Sequence, residues 1–518
     1  MRGTVKDAWA SGEQKRQPLL ARAQNYAAYT IPIICPPDGY DEQAQELQTD
    51  YQAVGALAVN SLSNKLILAL FAPSRPFMRY DVPADVLDRI GADAAGNALT
   101  ALAAAERNSM RLLDQLSTRP RLYEAVRNLI VTGNCLLILG EDKTTPLRVL
   151  GLRKYVVKRS MSGKVVEIII KQTVRFDELD ADAQRYLKGG GKGLTKYEKM
   201  DPADPRTCED VDWFTWVRLA DRGKYEVTSY VDEHELPASF SGSYAEEELP
   251  YRVLTWELPD GQHYGIGLVE QCAGDFAAMS TLSEAQLRAA VLASEFRWLC
   301  NPGGLTQPED MEQSENGAAI PGVEGDVVAL SAAGAGVAAG LQIMDAVLSK
   351  YVNRIGRTFL LGSSVVRDAE RVTAEEIRMQ AQELETSLGG VYSRLAIDFQ
   401  LPLAYWLARM LGVRLVGTAI QPTIITGLDA LSRNADLDNL KLCIADLAQL
   451  QAVLQGPLAT VLNATSISSA IFAGRGVDAA QYVNSAEVQQ QLRAQQQQEA
   501  LEQATAGPIA QAALDSSQ

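Results

Sequence analysis

Histidine is almost absent from this 518-residue chain, which contains only His234 and His263. Its six cysteines are scattered, and no C-x-x-C pair occurs. Because tetrahedral zinc requires four clustered ligands, most zinc sites are excluded, and acid–base catalysis by histidine has few candidate residues. We therefore expect no bound metal, no cofactor and no enzymatic activity, with free thiols in a reducing compartment.

Long apolar runs and nucleotide-binding loops are lacking too. The longest strongly apolar run, residues 66–72, is far shorter than the ~18 residues that a membrane-spanning helix requires, and residues 1–20 lack the apolar core of a signal peptide. We therefore expect no membrane anchor. No G-x-x-x-x-G-K-[ST] loop occurs, which argues against a nucleotide-driven translocase. No serine lies in a G-x-S-x-G elbow, which argues against a hydrolase.

Positive charge is scarce relative to negative charge. The chain has 48 Lys and Arg against 64 Asp and Glu, which gives a formal net charge of −16. A chain this acidic is not expected to coat DNA with its whole surface. Its 47% hydrophobic and 22% charged residues are typical of a globular protein, and its length allows several domains or one large multi-lobed subunit.

Residue patterns predict an α+β, predominantly helical fold. The first predicted helices cover 10–29, 48–71, 98–116 and 121–132. Runs of β-branched residues predict strands at 135–140, 147–152, 155–160 and 165–174, with three more between 212 and 258. Long helices are then predicted at 268–298, 336–360 and 373–411, with a turn-rich excursion that contains one strand, 326–331, between the first two. A kink is expected at Gly389-Gly390.

One long segment carries acidic residues but no basic ones. From Trp298 to Ser349 there is no Lys or Arg, while the segment includes the carboxylates of Glu309, Asp310, Glu312, Glu315, Glu324, Asp326 and Asp345. The segment is either a solvated acidic loop, an interaction surface for a basic partner, or a lining to which DNA does not adhere.

The sign of the charge reverses immediately afterwards. The basic residues that follow are Lys350, Arg354, Arg357, Arg367, Arg371 and Arg378. Lys350, Arg354 and Arg357 have helical spacing and share one face. That face either pairs with acids on a neighbouring helix or faces a polyanion, whose phosphates such residues contact without reading its sequence.

Several long blocks resemble a known family. They are RAQNYAAYTIP at 22–32, YQAVGALAVNSLSNKLILALF at 51–71, NPGGLTQP at 301–308, ERVTAEEIR at 370–378, ELETSLGGVYSRL at 383–395 and FQLPL at 399–403. In this order the blocks resemble the portal proteins, the head-to-tail connectors of short-tailed podoviruses of the autographivirus kind. The resemblance covers roughly residues 15–445.

The resemblance implies a portal fold with wing, stem, clip and crown, assembled as a ring. The implied division is a wing at 1–267, a first stem helix at 268–298, a clip at 299–335, a second stem helix at 336–360, a tunnel loop at 361–372, a long kinked helix and return to the wing at 373–429, and a crown with a C-terminal tail at 430–518. A smaller head–tail adaptor would not require a wing of this size.

The resemblance also implies a function and its partners. A ring of twelve copies would form the channel for double-stranded DNA at one capsid vertex of the virion, after assembly in the host cytoplasm. Implied partners are the terminase large subunit, the tail adaptor and tail tube proteins, the major capsid and scaffolding proteins, and internal core proteins.

The tunnel loop would bring Arg367 and Arg371 near the duplex, with Lys350, Arg354 and Arg357 beside them. The clip would dock partners through Glu309, Asp310, Glu312 and Glu315. Another ring-forming adaptor and a nucleotide-driven enzyme are the alternatives.

Overall fold

The computed structural model describes residues 4–425 apart from 42–43, 72–75, 84–85, 87–88, 90–91, 143–144, 190–194, 221–222, 295, 316–317, 332–334, 362–383 and 385. The predicted tunnel loop beyond Leu361, with Arg367 and Arg371, lies outside these residues, and so do the predicted crown and tail at 430–518. The predicted helix from 373 is described only in its later part.

Helices contain most of the residues in the described elements. They are α1 (Val5–Ala28), α2 (Val54–Leu70), α3 (Ala92–Gln115), α4 (Thr118–Thr132), α5 (Ala181–Lys188), α6 (Thr195–Glu198), α7 (Leu268–Gln271), α8 (Ala273–Ser294), α9 (Pro308–Gln313), α10 (Ala335–Thr358), α11 (Gly390–Leu395) and α12 (Leu401–Met410). A π-helical segment, Ala396–Gln400, connects the last two. None of the helices in the described ranges is long and apolar enough to cross a bilayer.

The strands form four antiparallel groups. They are β1 (Met78–Asp81), β2 (Asn134–Ile138), β3 (Arg148–Leu150), β4 (Tyr155–Arg159), β5 (Val165–Arg175), β6 (Asp210–Leu219), β7 (Tyr225–Val231), β8 (His234–Glu235), β9 (Gly242–Tyr244), β10 (Tyr251–Thr255), β11 (Phe296–Cys300), β12 (Val327–Ser331) and β13 (Gln421–Ile424). The largest sheet has the order β4-β5-β6-β7-β8, and β9 also pairs with β7. The others are β10-β2-β3, β1-β13 and β11-β12.

Local chemistry explains where several elements begin and end. The hydroxyl of Thr4 accepts the Asp7 N–H while the Asp7 carboxylate accepts the Thr4 N–H, a capping box that starts α1. Helix α4 ends at Gly133, whose φ of 74° is left-handed and favours glycine. The predicted interruption at Gly389-Gly390 is confirmed, because Gly389 has a φ of 53° and a new helix begins after it.

A buried asparagine ties the sheet to the start of the later helices. The side-chain nitrogen of Asn134, the first residue of β2, donates to the Gly265 carbonyl at 2.8 Å, and its oxygen accepts the Gly265 N–H at 2.7 Å. The side-chain amide of Asn134 thus pairs with both backbone polar groups of Gly265, shortly before α7 begins. A Cβ on Gly133 would lie 2.5 Å from the Gly267 nitrogen, so this junction requires glycine.

The main hydrophobic core lies where helices of the N-terminal part meet the β10-β2-β3 sheet and the later helices. It includes Leu62 of α2, Leu129 of α4, Leu136 of β2 and Phe399 of the π-helical segment. Two smaller cores contain Phe176 and Val231, and Trp9 and Phe214, respectively. The mixed α and β composition expected from the sequence is confirmed.

The prediction of one helix over 268–298 is wrong at two points. Helix α7 ends at Gln271, Cys272 separates it from α8, and Phe296–Cys300 is a strand. Phe296 and Trp298 are aromatic residues, a type that suits a strand. The backbone of 296–300 pairs with β12 in register from Phe296–Ser331 to Cys300–Val327. A partner strand that is distant in the sequence therefore ends the helix early. The predicted helix at 336–360 is α10.

Candidate functional site

Most of the predicted site residues that the structure describes lie on one helical hairpin. Helices α8 and α10 pack side by side and are joined by the β11-β12 ribbon, from whose end residues 301–326 project. At its base, the buried rings of Phe276 and Phe359 meet edge to face with centroids 5.7 Å apart. Met279 and Ile355 are buried beside them. The hairpin is therefore anchored to the main core at its base.

The rest of the hairpin has no buried side chain among the residues described there. From Ser280 to Val291 in α8 and from Ala339 to Arg354 in α10, every described side chain is partly or fully exposed. Leu287, Val291 and Ile343 are each more than half exposed. The two helices thus extend from the subunit body, and within the described residues these stretches lie mainly against each other.

The predicted basic face of α10 divides into paired and unpaired residues. Arg354 Nε lies 3.0 Å from Asp275 Oδ2 on α8, and its guanidinium carbon lies 5.0 Å from the centre of the Tyr351 ring. Lys350 and Arg357 are exposed, and in the described part of the chain neither has a carboxylate within ion-pair distance. Among these three residues, and within the part of the chain that the structure describes, only Arg354 pairs with a neighbouring helix.

The predicted acidic residues lie on the segment that projects from the ribbon. Glu309, Asp310 and Glu312 belong to the short helix α9, and Glu315 follows it; all four are exposed. Asp310 Oδ2 accepts the Gln307 N–H at 3.1 Å, so this carboxylate also caps its own helix. Glu309, Glu312 and Glu315 have no cationic partner within the described residues.

Asp326 differs from the other acidic residues because it is buried. Its carboxylate accepts the N–H groups of Val323 at 3.1 Å and Leu305 at 2.9 Å, and only 8% of the residue is exposed. The N–H groups of Val323, Leu305 and Thr306 lower the pKa of Asp326 below its usual value. The predicted acidic segment includes Asp326, although the turn-forming Gly325 before it is a signal of a different role.

No metal centre is formed within the described residues, since no group of three or more His, Cys, Asp or Glu side chains converges there. The five cysteines in these ranges, Cys35, Cys135, Cys208, Cys272 and Cys300, are free thiols.

Comparisons with known proteins identify the family of this chain. The model of the bacteriophage head to tail connecting protein family matches residues 2–482. The portal protein of Escherichia phage T7 is 34% identical over 88% of this chain and 83% of its own length. The portal protein of Enterobacteria phage T3 is 35% identical over 85% of this chain and 81% of its own length. This chain belongs to the bacteriophage head-to-tail connecting protein family. Its function is that of a portal protein.

Fold comparison gives a more distant similarity. A chain from the neck of an empty GTA particle aligns with 78% of this portal-family chain and 90% of its own length, at 14% identity and a TM-score of 0.37.

One residue at the base of the hairpin of this portal-family member is not among the residues predicted from the sequence. Lys65, in the apolar helix α2, is buried, and its Nζ donates to the Leu360 carbonyl at 2.6 Å. Leu360 has a φ of 56°, and the Leu361 N–H returns to the Gly356 carbonyl at 2.7 Å, a C-terminal cap in which glycine is usual. A lysine within the apolar run of α2 was the available signal. Lys65 fixes the point where the chain leaves α10.

Proposed function

We propose that this portal-family chain assembles into a closed ring at one capsid vertex of the virion, and that the ring is the channel for packaging and ejection of double-stranded DNA. The observation that carries the proposal is the protruding hairpin, whose apolar side chains are left exposed by the described part of the subunit. Leu287 and Val291 are one turn apart on α8, and exposed apolar side chains on a protruding element are typical of an interaction site.

Neighbouring copies are the covering surface that best fits this exposure. Burying the exposed parts of Leu287, Val291 and Ile343 would stabilise an interface by about 1–2 kcal/mol each. Head-to-tail contacts between identical subunits close into a ring when the rotation allows it. The number twelve follows from the resemblance to portal proteins, and so does assembly in the host cytoplasm.

The proposed domains follow from the same resemblance. The wing comprises 1–267. The stem comprises α8 and α10, in place of the two stem helices expected at 268–298 and 336–360. The clip is the β11-β12 ribbon with residues 301–326, and the tunnel loop, kinked helix and crown follow at 361–372, 373–429 and 430–518.

Ring assembly is tested by comparing hairpin variants with a matched surface variant. We expect Leu287→Gln with Ile343→Gln to shift purified protein from rings to smaller species in light scattering and negative-stain micrographs. Met161→Gln is the control, because Met161 is 93% exposed in a turn outside the hairpin. Wild-type protein that remained a 56.2 kDa monomer at micromolar concentration would contradict the proposal.

The proposed channel wall includes the unpaired cations. Lys350 and Arg357 would contact phosphates from the stem, together with Arg367 and Arg371 of the tunnel loop. We expect Lys350→Ala with Arg357→Ala to reduce packaged DNA per capsid while rings still form. Normal DNA content in capsids that carry this double variant would count against their placement in the channel.

The clip is the proposed docking surface for the terminase large subunit during packaging and then for the tail adaptor and tail tube proteins. Replacing Glu309, Glu312 and Glu315 by Gln removes three charges, keeps side-chain shape and leaves the helix cap of Asp310 intact. We expect weaker binding of purified terminase and adaptor, and unchanged rings. Capsid, scaffolding and internal core proteins are proposed to contact other parts of the ring.

The proposal assigns no catalysis to this chain. ATP hydrolysis would belong to the terminase, since the sequence has no phosphate-binding loop. Purified rings should therefore show no ATPase activity until terminase is added, and an activity abolished by one substitution in this chain would refute the assignment.

A further inference from the structure

Two buried polar side chains join the limbs of the segment that projects from the β11-β12 ribbon. One limb is 301–306 and the other is 321–326. The Asp326 carboxylate accepts the N–H groups of Leu305 and Val323, one from each limb. The Thr306 hydroxyl donates to the Pro321 carbonyl at 2.9 Å, which forms a second connection. The limbs are therefore held together by hydrogen bonds rather than by an apolar core.

The glycines of this segment allow the close approach. A Cβ on Gly304 would lie 2.5 Å from Asp326 Oδ1, and a Cβ on Gly322 would lie 2.2 Å from Thr306 Oγ1. Each polar side chain thus occupies the space that a larger residue on the opposite limb would fill. The backbone of Asp326 adds further bonds, because its N–H donates to Val323 and its carbonyl accepts from Asn301.

This arrangement turns two apolar side chains outward. Leu305 is 67% exposed and Val323 is 61% exposed, although their N–H groups are fixed inside the segment. Since both N–H groups bind the same carboxylate oxygen, the two nitrogens lie within about 6 Å of each other. The two limbs therefore present a fixed apolar pair, and Leu305 lies three residues before the acidic helix α9.

We propose that Asp326 is a positioning residue that presents Leu305 and Val323 as a preorganised apolar pair to a partner protein whose contact surface is apolar and bordered by Lys or Arg. This proposal rests on the proposed docking function of the clip. A fixed backbone reduces the entropy lost on binding, and a central apolar contact surrounded by charged groups is the usual arrangement of an interface.

Charge distribution favours a different protein over a second copy of this chain. Residues 298–349 contain no Lys or Arg, so the same segment of a neighbouring copy offers only further carboxylates. Carboxylates on two copies would repel each other and oppose association, whereas Lys or Arg residues at the border of a partner surface are attracted to the carboxylates of this segment. A neighbouring copy as the occupant is therefore an outcome that the experiment must exclude.

The test is a mutant cycle on assembled rings, with purified tail adaptor and purified terminase large subunit as probes. The variants are Asp326→Ala, Asp326→Asn, and Leu305→Ser with Val323→Ser, alone and combined with Asp326→Ala. Val328→Ser is the matched control, because Val328 is also exposed but lies on β12 outside the Asp326 contacts. Binding affinity, amide exchange at 301–326 and ring formation are measured for each.

We expect Asp326→Ala to increase amide exchange at Leu305 and Val323 and to weaken binding about tenfold. The apolar double variant should weaken binding by a similar factor without increasing exchange, and adding Asp326→Ala to it should cost little more. Asp326→Asn, which keeps one acceptor oxygen, should restore part of both properties. Val328→Ser should change neither.

Three results would overturn the proposal: unchanged affinity in Asp326→Ala, additive losses in the combined variant, or loss of rings in the apolar double variant, which would place a second copy on this surface. The Glu309, Glu312 and Glu315 substitutions to Gln separate this failure from that of the docking function. If they weaken binding while the apolar variants do not, the docking function stands without the apolar pair. If neither set changes binding, the clip is not the docking surface.

Discussion

Replacing Arg354 by Ala should lower the stability of the hairpin more than replacing its basic neighbours. Arg354 bonds to Asp275 on the opposite helix and lies over Tyr351, whereas Lys350 and Arg357 have no cognate acid in the described residues. The three side chains lie on one helix face, and each carries a positive charge. They therefore form an internally controlled series in which mainly the contacts differ.

The size of the effect follows from exposure. The side chain of Arg354 is 59% exposed and that of Asp275 is 25% exposed, so solvent screens much of their attraction. An exposed ion pair contributes about 0.2–1 kcal/mol, and an exposed cation–aromatic contact contributes about 0.5–1 kcal/mol. We expect Arg354→Ala to cost about 1–1.5 kcal/mol per subunit. Lys350→Ala and Arg357→Ala should stay within about 0.5 kcal/mol of wild type.

Urea unfolding and thermal melting of the same preparations measure these differences, and Asp275→Asn completes a double-mutant cycle. The coupling between Arg354 and Asp275 should be about 0.5–1 kcal/mol. Packaged DNA per capsid should follow the opposite order, with larger losses for Lys350 and Arg357 than for Arg354. A coupling near zero together with a packaging defect confined to Arg354→Ala would show that Arg354 faces DNA and that the ion pair has no energetic role.

Other substitutions and conditions test the body of the subunit and the clip. Gly133→Ala should destabilise the protein by more than about 2 kcal/mol, measured by urea unfolding, since it adds a Cβ to a left-handed residue in close contact with Gly267. Lys65→Ala should cost about 2–4 kcal/mol, because it leaves a cavity and removes the buried hydrogen bond from Nζ to the Leu360 carbonyl; a loss below 1 kcal/mol would contradict this. Folding lowers the pKa of Asp326, so its bonds should persist above the unfolded pKa and be lost as pH falls through the lower, folded value. Amide protection at 301–326, corrected for intrinsic exchange, should therefore still be present at pH 5, and its disappearance between pH 6 and pH 5 would refute the interpretation.

Sequence patterns predicted those helices and strands whose formation depends on residues near one another in the sequence. Helix α4 has apolar periodicity and ends at a glycine, and β5 is a run of β-branched residues; both lie close to their predicted bounds. Strand β1 was not predicted, because its partner β13 is remote in the sequence and pairs Met78 with Ile424. Strand β11 was assigned to a helix for the same reason. Short apolar segments acquire their structure from the strand beside them.

The candidate site shows the same limit. Spacing placed Lys350, Arg354 and Arg357 on one helix face, but it did not reveal that Asp275 lies opposite only one of them. Composition identified an acidic segment, but not that Asp326 is buried in it. Burial and pairing depend on where distant backbone passes, and a residue's own neighbours in the sequence do not encode that position.

The exposed outer half of the hairpin has a thermodynamic consequence. Its described side chains gain little from the folding of their own subunit, so in the proposed ring part of the free energy that orders α8 and α10 would come from association. Mass action then applies to folding itself: dilution should lower the melting temperature, and amide exchange in residues 280–291 should slow as protein concentration rises. In the proposed ring, the folding of this region would be completed only when subunits associate.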